Sequence, residues 1–427
     1  MAKSLVAALV LLGMVSQSSK TAREEFAQLR SEADSARASG DLQARLQAVL
    51  KIEKLLNDAP PAMEAVARAY AELGDTDHAL DVLSQFADLG QVDDRLLRGE
   101  NKPFAALEKL PRYQSILGRF ALNNAAISRS ERVLSLPDPG LLAEDIDYDP
   151  RSKSFLITSV LEKKIIRVTP QGKTTDFAQS PSQWPMLAVK VDASRNLVWA
   201  TEVALDGFTA APKSDWGRSG VLCFDLRTGA LRQRIEGPAH SALGDMALAR
   251  TGSPIVSDGD GGGIYRVSGD RLERIDRGDF ISPQTPTMHP DGRHLFVPDY
   301  ARGIALLDLA DGQLIWLNRG QAEKYALSGI DGLYFHEGSL IATQNGTSPE
   351  RVICFQINST LTNVTSEQIV ERATPTLGDP THGVVVGDFF YYIANSGWSE
   401  IDEHGDPKTG SKLTPARIMR FRLRHVS

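Results

Sequence analysis

From about Ser128 to the end of the chain one short unit returns six times: a β-rich run, a turn, and a second β-rich run. The pairs are Phe155–Val160 with Ile165–Val168, Leu197–Thr201 with Val221–Leu226, and Pro254–Asp258 with Ile264–Val267. His294–Asp299 with Ile304–Leu309, Ser339–Thr343 with Val352–Ile357, and Phe389–Ala394 with Ile418–Leu423 complete the set. Gln171-Gly172, Thr228-Gly229 and Asp311-Gly312 supply turn chemistry after the second runs. Strand–turn–strand units recurring every roughly 40–55 residues are the signature of propeller blades. One four-stranded sheet cannot bury both of its faces, so blades pack radially around a channel. Six units predict a six-bladed β-propeller over residues 128–427; a β-sandwich or barrel pair does not call for six similar units. Ring closure asks one terminus to lend a strand to the last blade, and Ser130–Leu136 is the candidate.

Residues 21–123 carry a helical period instead. Leu42, Leu46, Val49, Leu50 and Leu56 fall on one stripe; Met63, Val66, Ala67, Tyr70 and Leu73 recur at three- and four-residue steps. Pro60 and Pro61 open the second helix and Gly74-Asp75 ends it, with Ala79, Leu80, Leu83 and Phe86 starting a third. The run Ala69–Asp75 followed by His78-Ala79-Leu80 and Leu83 resembles the tetratricopeptide repeat, with Ser39-Gly40-Asp41 marking a degenerate neighbour. Fewer than three good copies are visible, so the segment is expected to lean on the propeller. A plain helical bundle fits the same period.

The first 18 residues read as a signal peptide: Lys3, the apolar run Leu5–Val15, then Ser16-Gln17-Ser18. The apolar run is too short for the roughly 20 residues that span a bilayer, so the expectation is an exported chain, periplasmic or secreted, with no membrane span after cleavage. A net charge of −7 argues against nucleic acid as a partner. Cys223 and Cys354 occupy near-identical contexts in two different repeats, which predicts two separate free thiols rather than a disulfide.

Candidate site residues lie where blades enter the channel. Leu243-Gly244-Asp245-Met246 precedes Thr251-Gly252; Gln284-Thr285-Pro286 precedes Pro290-Asp291-Gly292-Arg293; Ile330-Asp331-Gly332-Leu333 opens a third blade; Glu144 stands four residues before Tyr148. In this pattern the propeller resembles the gluconolactonase–regucalcin family (senescence marker protein type) and, more loosely, strictosidine-synthase-like and NHL-type propellers. The resemblance implies a divalent cation at the channel mouth, held by a glutamate, an aspartate and an asparagine, with a further asparagine nearby. Glu144 and Asp331 match the two carboxylates; Gln284 stands at the ligating asparagine, its amide oxygen on a longer arm; Gly244 replaces the second asparagine with no side chain. Calcium, magnesium and manganese suit such oxygen donors alike. The implied chemistry is hydrolysis of a lactone or related ester, with Glu144 and Asp331 as metal ligands, one doubling as general base, and His382 as an accessory catalytic group. Asp145, Asp245, Thr285 and Trp398 are candidate ligand contacts. As turn residues, Glu144 and Asp331 would instead bond backbone amides at blade entrances.

Other signals are weaker. Asp258–Gly263 is glycine-rich but precedes a strand rather than a helix, so it reads as a hairpin and not a phosphate loop. Asp206–Arg218 in blade 2 and Glu400–Pro415 in blade 6 are long insertions, which suggest a lid or partner surface. Two function classes remain. One is a propeller that binds a small molecule at its mouth and hydrolyses it. The other is a non-catalytic scaffold whose helical repeats take a protein partner. Gly244 favours the second and the two carboxylates the first. A sugar-binding sensor would need Trp184, Trp216 and Trp398 to converge.

Overall fold

A computed structural model describes residues 20–318 and 324–423. The signal-peptide reading of residues 1–18 lies outside the described residues. Among the described residues no helix is long and apolar enough to cross a membrane.

Four helices, Ala22–Ser39, Leu42–Leu55, Pro60–Leu73 and Thr76–Asp88, stack as two hairpins. Both hairpins turn the same way. Gly40 and Gly74 end the first helix of each in the left-handed region, at φ 75° and 79°, where a side chain would be strained. Asp41 and Asp75 then cap the next helix by accepting from the amides of Ala44 and His78. Gly-Asp is therefore one turn device used twice, and Ser39-Gly40-Asp41 is the degenerate copy. A short turn at Asp94–Leu97, a 3-10 helix at Lys102–Leu107 and the helix Pro111–Asn123 complete the segment. Its core gathers Met63, Leu83, Phe86, Phe104, Tyr113, Ile116 and Phe120 together with Ala326 of the propeller.

Residues 143–422 form six antiparallel sheets, and the innermost strands touch in a closed cycle from the first blade through the sixth and back. The inner strands are Ala143–Asp149, Met186–Asp192, Leu243–Leu248, Thr287–Met288, Gly332–His336 and Gly383–Val386. Six apolar clusters lie between successive blades; Leu156 and Ile165 of blade 1, for example, pack on Met186, Val198 and Leu222 of blade 2. Blade 6 has only three strands of its own. Its fourth is Glu131–Ser135, paired antiparallel with Arg417–Arg422, which closes the ring as the sequence predicts. Unforeseen is Ile127–Ser128, which adds a fifth strand to blade 5 beside Val364–Arg372. The chain thus stitches blade 5 and then blade 6 as it leaves the helices. Cys223 and Cys354 sit mid-strand in blades 2 and 5, with no disulfide between them.

A repeated polar device sets the channel mouth. The second strand of four blades carries a buried hydroxyl at one position: Thr158, Thr201, Ser257 and Thr343. Thr158, Ser257 and Thr343 donate to the carbonyls of Leu187, Gln284 and Thr381, at the entrance of the next blade. The next residue along pins the connecting loop: Asp258 accepts from the amide of Ala242, and Asp299 from those of Ile281 and Ser282. Buried loop amides are thus satisfied by side chains, and these contacts tie the entrances of blades 2, 3, 4 and 6 to their neighbours.

The helical segment lies on this same mouth face, over blades 3 to 5. Ala22 donates its amide to the Gly278 carbonyl at 2.9 Å, Arg23 bonds the Ile281 carbonyl at 2.9 Å, and the Val92 amide bonds the Ser348 carbonyl at 2.7 Å. The two long insertions meet on the other side. Thr209 donates to the His404 carbonyl, and Phe208, Ile401, Leu413 and Trp398 share a cluster with Leu142 of blade 1.

Candidate functional site at the channel mouth

Inner-strand entrances aim polar side chains into the channel from five blades. Glu144 and Asp145 lie within a register shift between Ala143 and Ile146, and Gly244 within the matching shift of blade 3. A bulge places two consecutive residues where a regular strand would place one, so Glu144 joins the mouth cluster while the adjacent Asp145 turns to blade 2. Asp331 and His382 stand just before the inner strands of blades 5 and 6.

Ligating atoms of Glu144, Asp331 and His382 all lie within 4.8 Å of one another. Trp398 donates to Glu144 Oε2 at 2.5 Å. Asn345 donates to Asp331 Oδ2 at 2.8 Å, and its own Oδ1 accepts from the Tyr300 hydroxyl at 3.0 Å. His382 Nδ1 faces the Glu144 carbonyl at 2.9 Å and Nε2 faces Asp245 Oδ1 at 2.6 Å. Both partners only accept, so this ring is best satisfied with a proton on each nitrogen. Thr285 donates to the same Asp245 oxygen at 2.6 Å.

Electrostatics follow from this crowding. Burial and then the neighbouring Asp331 push the Glu144 carboxyl well above the carboxylate range. Asp331 is pushed to about 7, chiefly by burial, with His382 opposing and Asp245 adding to the rise. For His382 burial alone would disfavour the imidazolium, yet Asp331, Asp145 and Asp245 outweigh it and raise the ring well above its usual value. The mouth therefore holds one imidazolium among acids that resist ionising together.

The other sequence-picked residues fall on either side of this cluster. Asp145 is buried but turned to Lys190, at 2.5 Å, and to the amides of Val189 and Ile146, both at 2.8 Å. It stitches blade 1 to blade 2. Gln284 directs its amide at Ser282, at 3.2 Å to Oγ and 3.3 Å to the carbonyl, while the adjacent Thr285 reaches the cluster through Asp245. The three tryptophans do not form one platform: Trp184 and Trp216 share a separate small cluster with Ala204 and Ala211. Sequence reasoning overlooked Asn345 as a site residue. Its signal was position, directly after the second strand of blade 5, two residues past the hydroxyl device.

No family model matches the sequence, and no curated protein is found as a relative. Solved structures share the six-bladed propeller fold at low identity. A gluconolactonase from Xanthomonas campestris is 14% identical with a TM-score of 0.46, covering 70% of this chain and 98% of its own. A calcium-binding regucalcin from Agrobacterium tumefaciens is 15% identical with a TM-score of 0.47, covering 71% and 98%. A luciferin-regenerating enzyme is 13% identical with a TM-score of 0.47, covering 69% and 95%. The protein is a six-bladed β-propeller carrying an N-terminal helical segment of about 100 residues.

Proposed function

We propose that the channel mouth holds a hard divalent cation between Glu144 and Asp331 and hydrolyses a lactone or related ester. The observation that carries this reading is the pair of buried carboxylates itself. Their donor atoms lie close across the channel, and burial and mutual repulsion oppose their ionisation. A cation is what such a pair lacks: it stabilises both charges at once and suits two carboxylate oxygens. Once bound, a cation of this kind polarises a carbonyl oxygen.

The residues of the chain have separable parts. Of the two carboxylates that would hold the cation, Asp331 doubles as the general base toward the attacking water. Asn345 fixes its Oδ2 and leaves Oδ1 to take the proton of the attacking water. The water oxygen bonds to the carbonyl carbon, the ring C–O bond breaks, and the departing oxygen is protonated to give a hydroxy acid. His382, with both nitrogens committed, is a positioning residue; it holds the Glu144 backbone and balances the acidic cluster. Trp398 orients Glu144 from the roof formed by the two insertions. The helical segment, docked through a shared core, serves as a wall of the same mouth.

A panel of five- and six-membered lactones and aryl esters, followed by acid release with calcium or manganese present, tests the reading. Expected is turnover that needs the cation and disappears in Asp331→Ala while Asp291→Asn retains it. Absence of turnover across the panel with cation present would overturn the hydrolase reading.

A further inference from the structure

A second group of metal-type donors lies at the other end of the propeller, on the turn joining the first two strands of blade 4. His289, Asp291 and His294 belong to His289-Pro-Asp-Gly-Arg-His294, and their donor atoms all lie within 4.8 Å of one another. The turn fixes the carboxylate. Asp291 Oδ1 accepts from the amides of Arg293 and His294, at 2.8 and 3.0 Å, which leaves Oδ2 pointing away from the backbone. Onto that oxygen both imidazoles converge, His289 Nδ1 at 2.9 Å and His294 Nδ1 at 2.6 Å. His289 Nδ1 also lies 3.3 Å from the Asp291 amide, a group that can only donate. In that bond the nitrogen presents its lone pair, and the lone pair then faces the carboxylate oxygen as well. The pair is held by a positive centre between the two atoms, a proton on Nδ1 or a metal ion.

We propose that His289, Asp291 and His294 form a binding site for a late first-row transition metal of the zinc, nickel or copper class. Two imidazole nitrogens and one carboxylate oxygen suit these borderline ions rather than calcium or magnesium. Bonds of about 2.0–2.1 Å in tetrahedral geometry set donors about 3.3 Å apart, so the two imidazoles have to draw back from the carboxylate oxygen by about 0.4 and 0.7 Å from the 2.9 and 2.6 Å seen here. The rings are already held. His289 packs edge-on against Phe335, with centroids 4.8 Å apart, and His294 Nε2 lies 4.0 Å from Asp308 Oδ2. Three protein ligands leave a position open to solvent or to a donor from another molecule.

The site is independent of the mouth reading, because it uses other residues at the opposite end of the blades. The test is cobalt(II) titration of the full chain by visible absorption, and copper(II) binding by electron paramagnetic resonance, in excess calcium to occupy hard oxygen sites. The native chain should bind one equivalent with nitrogen hyperfine structure. His289→Gln and His294→Gln should each weaken binding by at least roughly tenfold, since even outer-shell losses cost 10–100-fold. Asp291→Asn, which keeps the turn-capping oxygen, should weaken it comparably with an unchanged melting temperature. Copper affinity within about twofold of native in both histidine variants, or no nitrogen coupling in the native spectrum, would overturn the proposal. Neither result would bear on lactone turnover.

Discussion

Carboxylates and imidazoles meet at two places in this propeller, and the two places behave oppositely. At the mouth Glu144, Asp331, Asp245 and His382 are all nearly inaccessible to solvent. There burial dominates: it drives two acids toward protonation and leaves one imidazolium to balance the remainder. On the turn of blade 4, Asp291 is exposed; burial is the largest single influence and raises its carboxyl, but hydrogen bonds from the His294 side chain, the amides of His294 and Arg293, and His289 together outweigh it and hold the carboxyl well below the usual range. The same residue types therefore give a proton-loaded cluster in one setting and a standing anion in the other. Solvent decides which, and metal affinity at the mouth must depend on pH, because the ligating carboxyls have to give up their protons.

The largest expected effect breaks the mouth cluster. His382→Ala removes the balancing charge from Asp245 and should cost about 3–5 kcal/mol, the range for leaving a buried charge unpaired. His294→Gln on the exposed turn should stay within about 0.5 kcal/mol. Chemical denaturation of the two variants side by side checks the contrast; equal losses would remove the distinction between the sites. Next, Asp331→Ala should weaken calcium or manganese binding by more than roughly 100-fold, above what outer-shell losses cost, while leaving copper binding at the turn unchanged.

A third prediction concerns pH in the metal-free chain. Glu53, Asp331 and Glu350 are pushed to about 7 and Asp147 to about 6, all chiefly by burial. Each binds its proton more tightly folded than unfolded. Their contribution is fully present below about pH 4, the range of free carboxyls, and is lost as pH rises through 6 to 7. Asp291 has the opposite sign: its contribution is present above about pH 4 and lost below. Melting should therefore fall by a few degrees from pH 5 to pH 8, and calcium should restore part of the loss at pH 8. A flat profile would contradict the buried-acid account. The smallest effect is expected from Trp398→Phe, which removes one hydrogen bond to Glu144 worth about 0.5–1.5 kcal/mol while that carboxyl is protonated. It should move the onset of metal binding to higher pH without changing stoichiometry.

Much of the architecture was legible because it is periodic. Alternating apolar runs and glycine turns give the blades, and the Gly-Asp turns give the helical hairpins. Ring closure by Glu131–Ser135 follows from a strand pattern that has no partner in its own unit. The added strand Ile127–Ser128 was not legible, since two residues carry no period. Within the site, Glu144, Asp331 and His382 stood out as acids or an imidazole at blade entrances, and the fold brings them together. Gln284 stands out only through the family resemblance, and its Nε2 bonds locally to Ser282. Asn345 was invisible as a site residue because its role depends on the loop after a strand reaching across to Asp331. Glu144's inward aim depends on a bulge, which leaves no mark on hydrophobic alternation.

The most direct measurement is calorimetric titration of calcium and manganese into the full chain at pH 6 and pH 8, in buffers of different ionisation enthalpy. One binding event that is tighter at pH 8, releases protons at pH 6 and vanishes in Asp331→Ala is the predicted result. Absence of binding, or binding that Asp331→Ala leaves intact, would contradict a cation at the channel mouth.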